Sequence, residues 1–293
     1  MTKKTDANED TGQEVPGLPS RILSVSKGER HPSGKEFRVL SVEQAKQLSR
    51  EFHCSLRRIW ISSMEQGVGL RCNLRNLESV SLQEQLVLFK ARVAVIGAGG
   101  LGGQVILSLA RLGLGRIVVV DPDVFDETNL NRQALCTHQG LNRPKAEVAV
   151  EEVEKVNPAL EVTGIKERFT PARGPDILAG TQVVLDCLDN IPDRFVLEQT
   201  AKDLGIPLVH AAIDGFLAQL MTIYPEDQGL RLLYGRAQET PKSPLGNPVF
   251  APNLVAVLQA MEVLKIVLGR GETIRNGILS LELESGRLER FSF

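Results

Sequence analysis

The residues best placed to do chemistry begin at Gly97. The stretch Gly97-Ala-Gly99-Gly100-Leu-Gly102-Gly103 follows a short apolar run, Val93–Ile96, and opens a segment with apolar residues at Val105, Leu109 and Leu112. Glycines there allow a tight turn and close backbone approach, and a helix start offers free N–H groups to anionic oxygens. Asp121 stands nineteen residues after Gly102, at the end of a second apolar run, Ile117–Val120. A carboxylate in that place can accept hydrogen bonds from ribose hydroxyls. The pair reads as a nucleotide site, with a glycine turn that only packs helix on sheet as the plain alternative. At this point a nicotinamide dinucleotide and ATP are both open.

The next segment separates them. Asn129-Leu-Asn-Arg132-Gln133 is followed by Arg143-Pro-Lys145. Hydride transfer has no need of two fixed cations just past the ribose carboxylate. Attack on the α-phosphate of ATP does, because charge must be neutralised as pyrophosphate leaves. Lys145 opens a helix, where its charge opposes the dipole, and that placement hints at use. Taken alone, Arg132 and Lys145 are equally well read as surface cations. Val183-Val-Leu-Asp186-Cys187-Leu-Asp189-Asn190 then supplies carboxylates at the carboxyl end of a strand, where ligands lie in open α/β sheets. One hard carboxylate there suits Mg²⁺. By itself this motif is more often a strand-end turn.

Together, in order and at fitting spacings, these four motifs resemble the ThiF/MoeB/HesA family, the bacterial relatives of ubiquitin-activating enzymes. The likeness runs from about Leu70 to the C-terminus. It implies a homodimer that uses ATP and Mg²⁺ to adenylate the C-terminal Gly-Gly carboxylate of a ubiquitin-like sulfur-carrier protein of the MoaD/ThiS kind; the expected location, cytoplasmic, comes instead from the lack of a secretory or membrane-spanning segment. Carried over residue by residue, it implies that Gly97, Gly99, Gly100 and Gly102 cradle the nucleotide and that Asp121 binds its ribose. Asn129, Arg132 and Lys145 would hold and neutralise the triphosphate, Gln133 would shape the site, and Asp189 would hold Mg²⁺. Arg75, in Leu74-Arg75-Asn76, resembles an arginine finger that reaches the phosphates of the other subunit. The substrate carboxylate is the nucleophile, so catalysis would be positioning plus charge neutralisation by Arg132, Lys145 and Arg75 with the metal.

The chain departs from the family in three places. Where many relatives carry paired zinc cysteines, this one has Leu232-Leu-Tyr-Gly-Arg236, so no zinc is expected. No cysteine lies beyond Cys187, which favours adenylation without enzyme-bound sulfur chemistry, and Cys187 itself reads as core packing. The portion before Leu70 is longer than compact members need. Two other functions stay open: an ATP-dependent tRNA-modifying dehydratase of the same superfamily, and a non-catalytic nucleotide-binding scaffold. Intact Arg132, Lys145 and Asp189 argue against the scaffold, and the absence of a strongly basic stripe makes nucleic acid a poor partner.

The elements that must hold these residues follow from periodicity. Val93–Ile96, Ile117–Val120, Val183–Leu185 and Pro207–Val209 are short, wholly apolar runs, the mark of strands covered on both faces in a parallel sheet. Helical stretches separate them; one opens at Pro144 and carries Ala146, Ala149, Val150 and Val153 on one face. Leu254, Val257, Leu258, Met261 and Leu264 make another stripe, stopped by Gly269, and alternating Leu279, Leu281 and Leu283 before Gly286 suggest a closing hairpin. The expected fold is a doubly wound, Rossmann-like, mostly parallel α/β sheet with a C-terminal antiparallel extension and an N-terminal helical segment. Residues 1–36 read as a disordered tail, 37–90 as helical (with capping boxes at Ser41–Gln44 and Ser81–Glu84), and 91–293 as the adenylation domain. The proline-rich segment from Arg236 to Pro248 reads equally as a crossing over the site and as a surface loop, and His210 as a hydrogen-bonded structural residue or a lining of the substrate-tail channel.

Composition sets the outer limits. The 293 residues carry 34 Lys and Arg against 36 Asp and Glu, a net charge of −2, which gives no reason for attraction of the whole surface to nucleic acid or membrane. No secretory h-region and no run of about 18 apolar residues is present. Four cysteines, none in C-x-x-C spacing, fit reduced thiols.

Overall fold

The computed structural model describes residues 15–240 and 244–293. The chain divides into two compact units between Lys90 and Ala91. The N-terminal unit runs α1 (Leu18–Val25), β1 (Lys27–Arg30), β2 (Glu36–Leu40), α2 (Val42–Glu51), α3 (Leu56–Glu65), β3 (Gly69–Leu70), a 3₁₀ turn (Arg71–Asn76) and α4 (Leu82–Lys90). Its strands form a small sheet in the order β1-β2-β3.

This corrects the expected tail. The first fourteen residues lie outside those described, but residues 15–36 contain a helix, α1, a strand, β1, and the first residue of β2. A left-handed Gly17 and a proline in the first turn start α1, which then buries Leu18 and Ile22, four apart on one face. Two apolar residues in register are enough to seat a short helix, and mean polarity hides them. The stretch 37–90 is helical with strands interposed. All three of its helices start at a serine: Ser41 forms a full capping box with Gln44, Ser55 accepts from Arg58 N–H, and Ser81 exchanges the same two bonds as Ser41 with Glu84.

The second unit holds an eight-stranded sheet in the order β11-β10-β9-β8-β7-β4-β5-β6. Its elements are β4 (Arg92–Ile96), α5 (Gly100–Leu112), β5 (Arg116–Val120), α6 (Lys145–Val156), β6 (Glu161–Ile165), α7 (Gly174–Leu178), β7 (Val183–Asp186), α8 (Ile191–Asp203), β8 (Leu208–Asp214), β9 (Leu217–Ile223), α9 (Arg231–Tyr234), α10 (Phe250–Leu268), β10 (Gly277–Glu282) and β11 (Arg287–Ser292). Strands β4 to β8 pair in parallel; β9, β10 and β11 continue the sheet antiparallel. The sheet is therefore the mixed α/β architecture expected. β4 sits between β5 and β7, so successive crossovers leave it in opposite directions, and its carboxyl end is the switch point where such sheets bind ligands.

The apolar runs are buried as their composition requires: every residue of β7, and all but the first of β4 and β5. β6 is an edge strand with two exposed residues, and its mixed sequence carried no apolar run. Pro144 is the residue before α6 rather than its first, so Lys145 holds the first helical position. Helix α10 is long and apolar enough to cross a membrane by length and composition, although half of it is buried and Glu262 and Lys265 interrupt it. It packs on α5, β8 and β9. The last strand, β11, is exposed at all six residues.

Candidate active site

Between β4 and α5 the backbone turns back so sharply that only glycine fits. Gly97 adopts φ +97°, and a Cβ there would lie 2.4 Å from the Cys187 carbonyl oxygen. At Gly102 a Cβ would lie 1.8 Å from the Gly97 carbonyl oxygen. These two residues let the first turn of α5 sit on the ends of β4 and β7. Gly99 precedes the helix and supplies no capping side chain, so the first-turn N–H groups of α5 remain for an anion. Around Gly99 and Gly100 there is more room, with the Gln133 amide and the Arg132 side chain as neighbours.

At the end of β5 the structure separates two carboxylates. Asp121 is 5% exposed, and its two oxygens accept backbone N–H groups, from Ala98 at 2.7 Å and from Asp123 at 2.8 Å. Burial pushes its carboxyl above the usual range, against the pull of those bonds and of Lys145. Asp121 thus ties β5 to the glycine loop. Asp123, two residues on, is exposed and pairs with Lys145 at 3.1 Å. The segment 123–125 runs beside 142–145, with Phe125 N–H on the Arg143 carbonyl at 3.0 Å and Lys145 N–H on the Asp123 carbonyl at 3.0 Å. That pairing delivers Lys145 to the strand ends. Its ammonium is nearly buried, and one solvated carboxylate faces it.

Asn129 closes a short 3₁₀ turn, its side-chain oxygen accepting from Asp126 N–H at 3.1 Å. The Arg132 guanidinium is held at its Nη1 by the Thr128 carbonyl, 3.0 Å, and Asn131 Oδ1, 2.9 Å, and forms no ion pair among the described residues. Gln133 is 7% exposed, and its carboxamide oxygen is buried without a hydrogen-bond partner. A buried acceptor left open beside a glycine loop is an observation in favour of a polar ligand there.

Beyond β7, Asp189 is exposed, and Asn190 caps α8 through Asp193 N–H at 2.9 Å. Among the described residues no three His, Cys, Asp or Glu side chains converge to cage a metal. A lone exposed carboxylate at a strand end still fits Mg²⁺, which takes one or two carboxylates and completes its shell with phosphate oxygens and water. Cys187 is buried, and burial pushes its thiol well up, so it stays protonated and packs against Gln259. His210 is fully buried and does not line a channel; burial pulls its imidazole pKa down against the opposing effect of Asp186.

The segment after α9 spans these parts. Thr240 accepts from Ile191 N–H at 2.7 Å at the start of α8, and the Asn247 carbonyl accepts from Asn131 Nδ2 at 3.3 Å. Residues 241–243 between them lie outside those described. The strand ends therefore bring together Gly97, Gly99, Gly100, Gly102, Asp121, Asn129, Arg132, Gln133, Lys145 and Asp189. Arg75 belongs to the N-terminal unit, exposed in its 3₁₀ turn. Asp123 was not singled out in the sequence, although an Asp-Pro-Asp at a strand end carries the signal that two acids compete for one role.

The ThiF family matches residues 72–293. The SAMP-activating enzyme E1 of Haloferax volcanii is 36% identical over 207 residues, covering 69% of this chain and 77% of that protein. The sulfur carrier protein ThiS adenylyltransferase of Escherichia coli is 34% identical over 197 residues, covering 66% and 78%. Among solved structures, that of E. coli MccB with ATP superposes with a TM-score of 0.60 at 21% identity, over 83% of this chain and 70% of that one, a likeness of fold.

Proposed function

The chain belongs to the ThiF family, and from that premise we propose that it activates the C-terminal Gly-Gly carboxylate of a ubiquitin-like sulfur carrier as an acyl-adenylate. It is an ATP-dependent adenylyltransferase, as its relatives named for that activity indicate. The carrier carboxylate attacks the α-phosphorus, an O–P bond forms, and the bond to the β-phosphate oxygen breaks to release pyrophosphate. No side-chain base is needed, because the nucleophile is already ionised.

The observation that carries this reading is the Lys145 ammonium, nearly buried at the strand ends with one solvated carboxylate for a partner. A phosphate oxygen can take that carboxylate's place. Arg132 adds a second cation, and the first turn of α5 supplies N–H groups to the same anion. We assign the ribose to Asp123 rather than Asp121: its carboxylate is open to solvent, whereas Asp121 is spent on two backbone N–H groups. Asn129 and Gln133 complete the cradle, and the open Gln133 oxygen supports a donor from the nucleotide. Asp189 would hold Mg²⁺, which supplies charge neutralisation on the phosphates. Arg75 would act on the phosphates of a second subunit in a homodimer.

ATP–pyrophosphate exchange with small proteins ending in Gly-Gly tests the proposal. Exchange is expected to need the intact diglycine and to collapse in Arg132→Ala. Exchange indifferent to both changes overturns the assignment.

A further inference from the structure

Beneath the turn that carries Asp189, buried and half-buried polar groups close a ring that the chemistry above does not use. Leu188 N–H donates to Asp186 Oδ1 at 3.0 Å. Asp186 Oδ2 lies 2.7 Å from His210 Nδ1, on the neighbouring strand and in register with it. His210 Nε2 lies 3.1 Å from the Tyr234 hydroxyl. Arg194 Nη1 donates to that hydroxyl at 2.8 Å, and Arg194 Nη2 donates to the Leu188 carbonyl at 2.6 Å. The path starts and ends on Leu188.

The hydrogen positions in this ring follow from counting. Tyr234 Oη also receives Gln219 Nε2 at 2.9 Å, so both of its lone pairs are taken. Its one proton must then go to His210 Nε2, which leaves the imidazole neutral with its hydrogen on Nδ1, donating to Asp186. Arg194 Nε, 3.7 Å from Asp186 Oδ2, balances the buried carboxylate. Asp186 and His210 are fully buried and Arg194 nearly so. Such a network is rigid only when every member is present.

The ring has an outer end. Tyr234 closes α9, and Gly235 after it turns the chain at φ +58° into the segment that returns at Thr240 to hold Ile191 N–H. The Cys187–Asn190 turn is therefore gripped from beneath at Leu188 and, just past Asn190, by the same segment that Tyr234 begins.

We propose that Tyr234 and His210 are positioning residues, which fix the Cys187–Asn190 turn, and Asp189 on it, at the height where a metal–nucleotide complex is met. This rests on the adenylation reading only for the role of Asp189. Tyr234→Phe removes a single oxygen and keeps the ring packed edge-on to His210 at 5.7 Å between centroids. Binding of a non-hydrolysable ATP analogue, followed by calorimetry without carrier over a Mg²⁺ titration, reads the effect. The Mg²⁺ needed for half-saturation is expected to rise about tenfold, the scale on which lost outer partners of a metal ligand act. His210→Asn is expected to do the same, and the double variant to add little, since both break one ring. Nitrogen-15 spectra of the four histidines supply a second readout: His210 is expected as the neutral Nδ1–H form.

Folded Tyr234→Phe protein with native Mg²⁺ dependence overturns the proposal, as does a His210 ring protonated on Nε2. Should Tyr234→Phe not fold, His210→Asn and the native spectrum decide. Native protein that binds the analogue with Mg²⁺ but exchanges no pyrophosphate with any Gly-Gly carrier sinks the adenylation reading and leaves the ring standing. Native protein that binds no analogue sinks both.

Discussion

Two carboxylates two residues apart illustrate how burial assigns work at the residue scale. Asp121 was legible from its spacing to the glycines, and it does stand at the strand end, but spacing cannot say whether an acid faces a ligand or the backbone. Its oxygens satisfy Ala98 and Asp123 N–H groups, so Asp121→Ala is expected to lower stability by about 1–3 kcal/mol for each donor left bare. Asp123→Ala takes the carboxylate partner from the nearly buried Lys145 and so is expected to cost some stability as well, but of the two variants it alone is expected to raise the KM for ATP, by roughly ten- to a hundredfold, as loss of a charged hydrogen bond would. Melting curves beside exchange kinetics separate the two, and a reversed pattern returns the ribose to Asp121. For the cations, Arg132→Ala and Lys145→Ala should each cost about 2.7–4 kcal/mol of transition-state stabilisation, judged from single oxyanion-hole donors. Of the Tyr234–His210 ring the sequence offered only His210 as a hydrogen-bonded structural residue; its partners stayed hidden, because they are far apart in the chain and meet only across β7, β8, α8 and α9.

At the scale of elements, the sequence was most informative where a strand is buried on both faces. Val93–Ile96 and Val183–Leu185 could be read directly, and with them the carboxyl ends where the motifs cluster. It was least informative where burial is partial: edge strand β6 has no apolar run, and α1 seats itself on two residues inside a polar stretch. The glycine loop shows how an element can depend on a missing atom. In Gly102→Ala the new methyl would fall 1.8 Å from the Gly97 carbonyl, so the first turn of α5 must lift off the strand ends. The expected outcome is overpacking of about 1–3 kcal/mol and loss of nucleotide binding, checked by denaturant unfolding and calorimetry. Normal affinity in that variant would show that α5 does not need to sit so close.

The whole molecule presents an apolar helix face that a homodimer would cover. Phe250, Leu254, Val257 and Met261 recur along one side of α10 and are exposed. If Arg75 serves the other subunit, as proposed, mixing Arg75→Ala with Arg132→Ala protein should restore activity neither has alone. Half of the reassorted dimers then hold one intact site, about a quarter of native sites overall. Exchange assays on the mixture, with sedimentation to follow reassortment, make the check, and no recovery means each chain serves itself. The opposite flank of the sheet calls for a different arrangement. β11 leaves one rim of backbone amides and carbonyls without a neighbouring strand among the described residues, the kind of rim on which an identical chain can template itself. Arg287, Glu289 and Arg290 stand among Leu288 and Phe291 along that rim, so every added layer would have to strip water from charges. The flank can stay open to solvent and still discourage fibre growth.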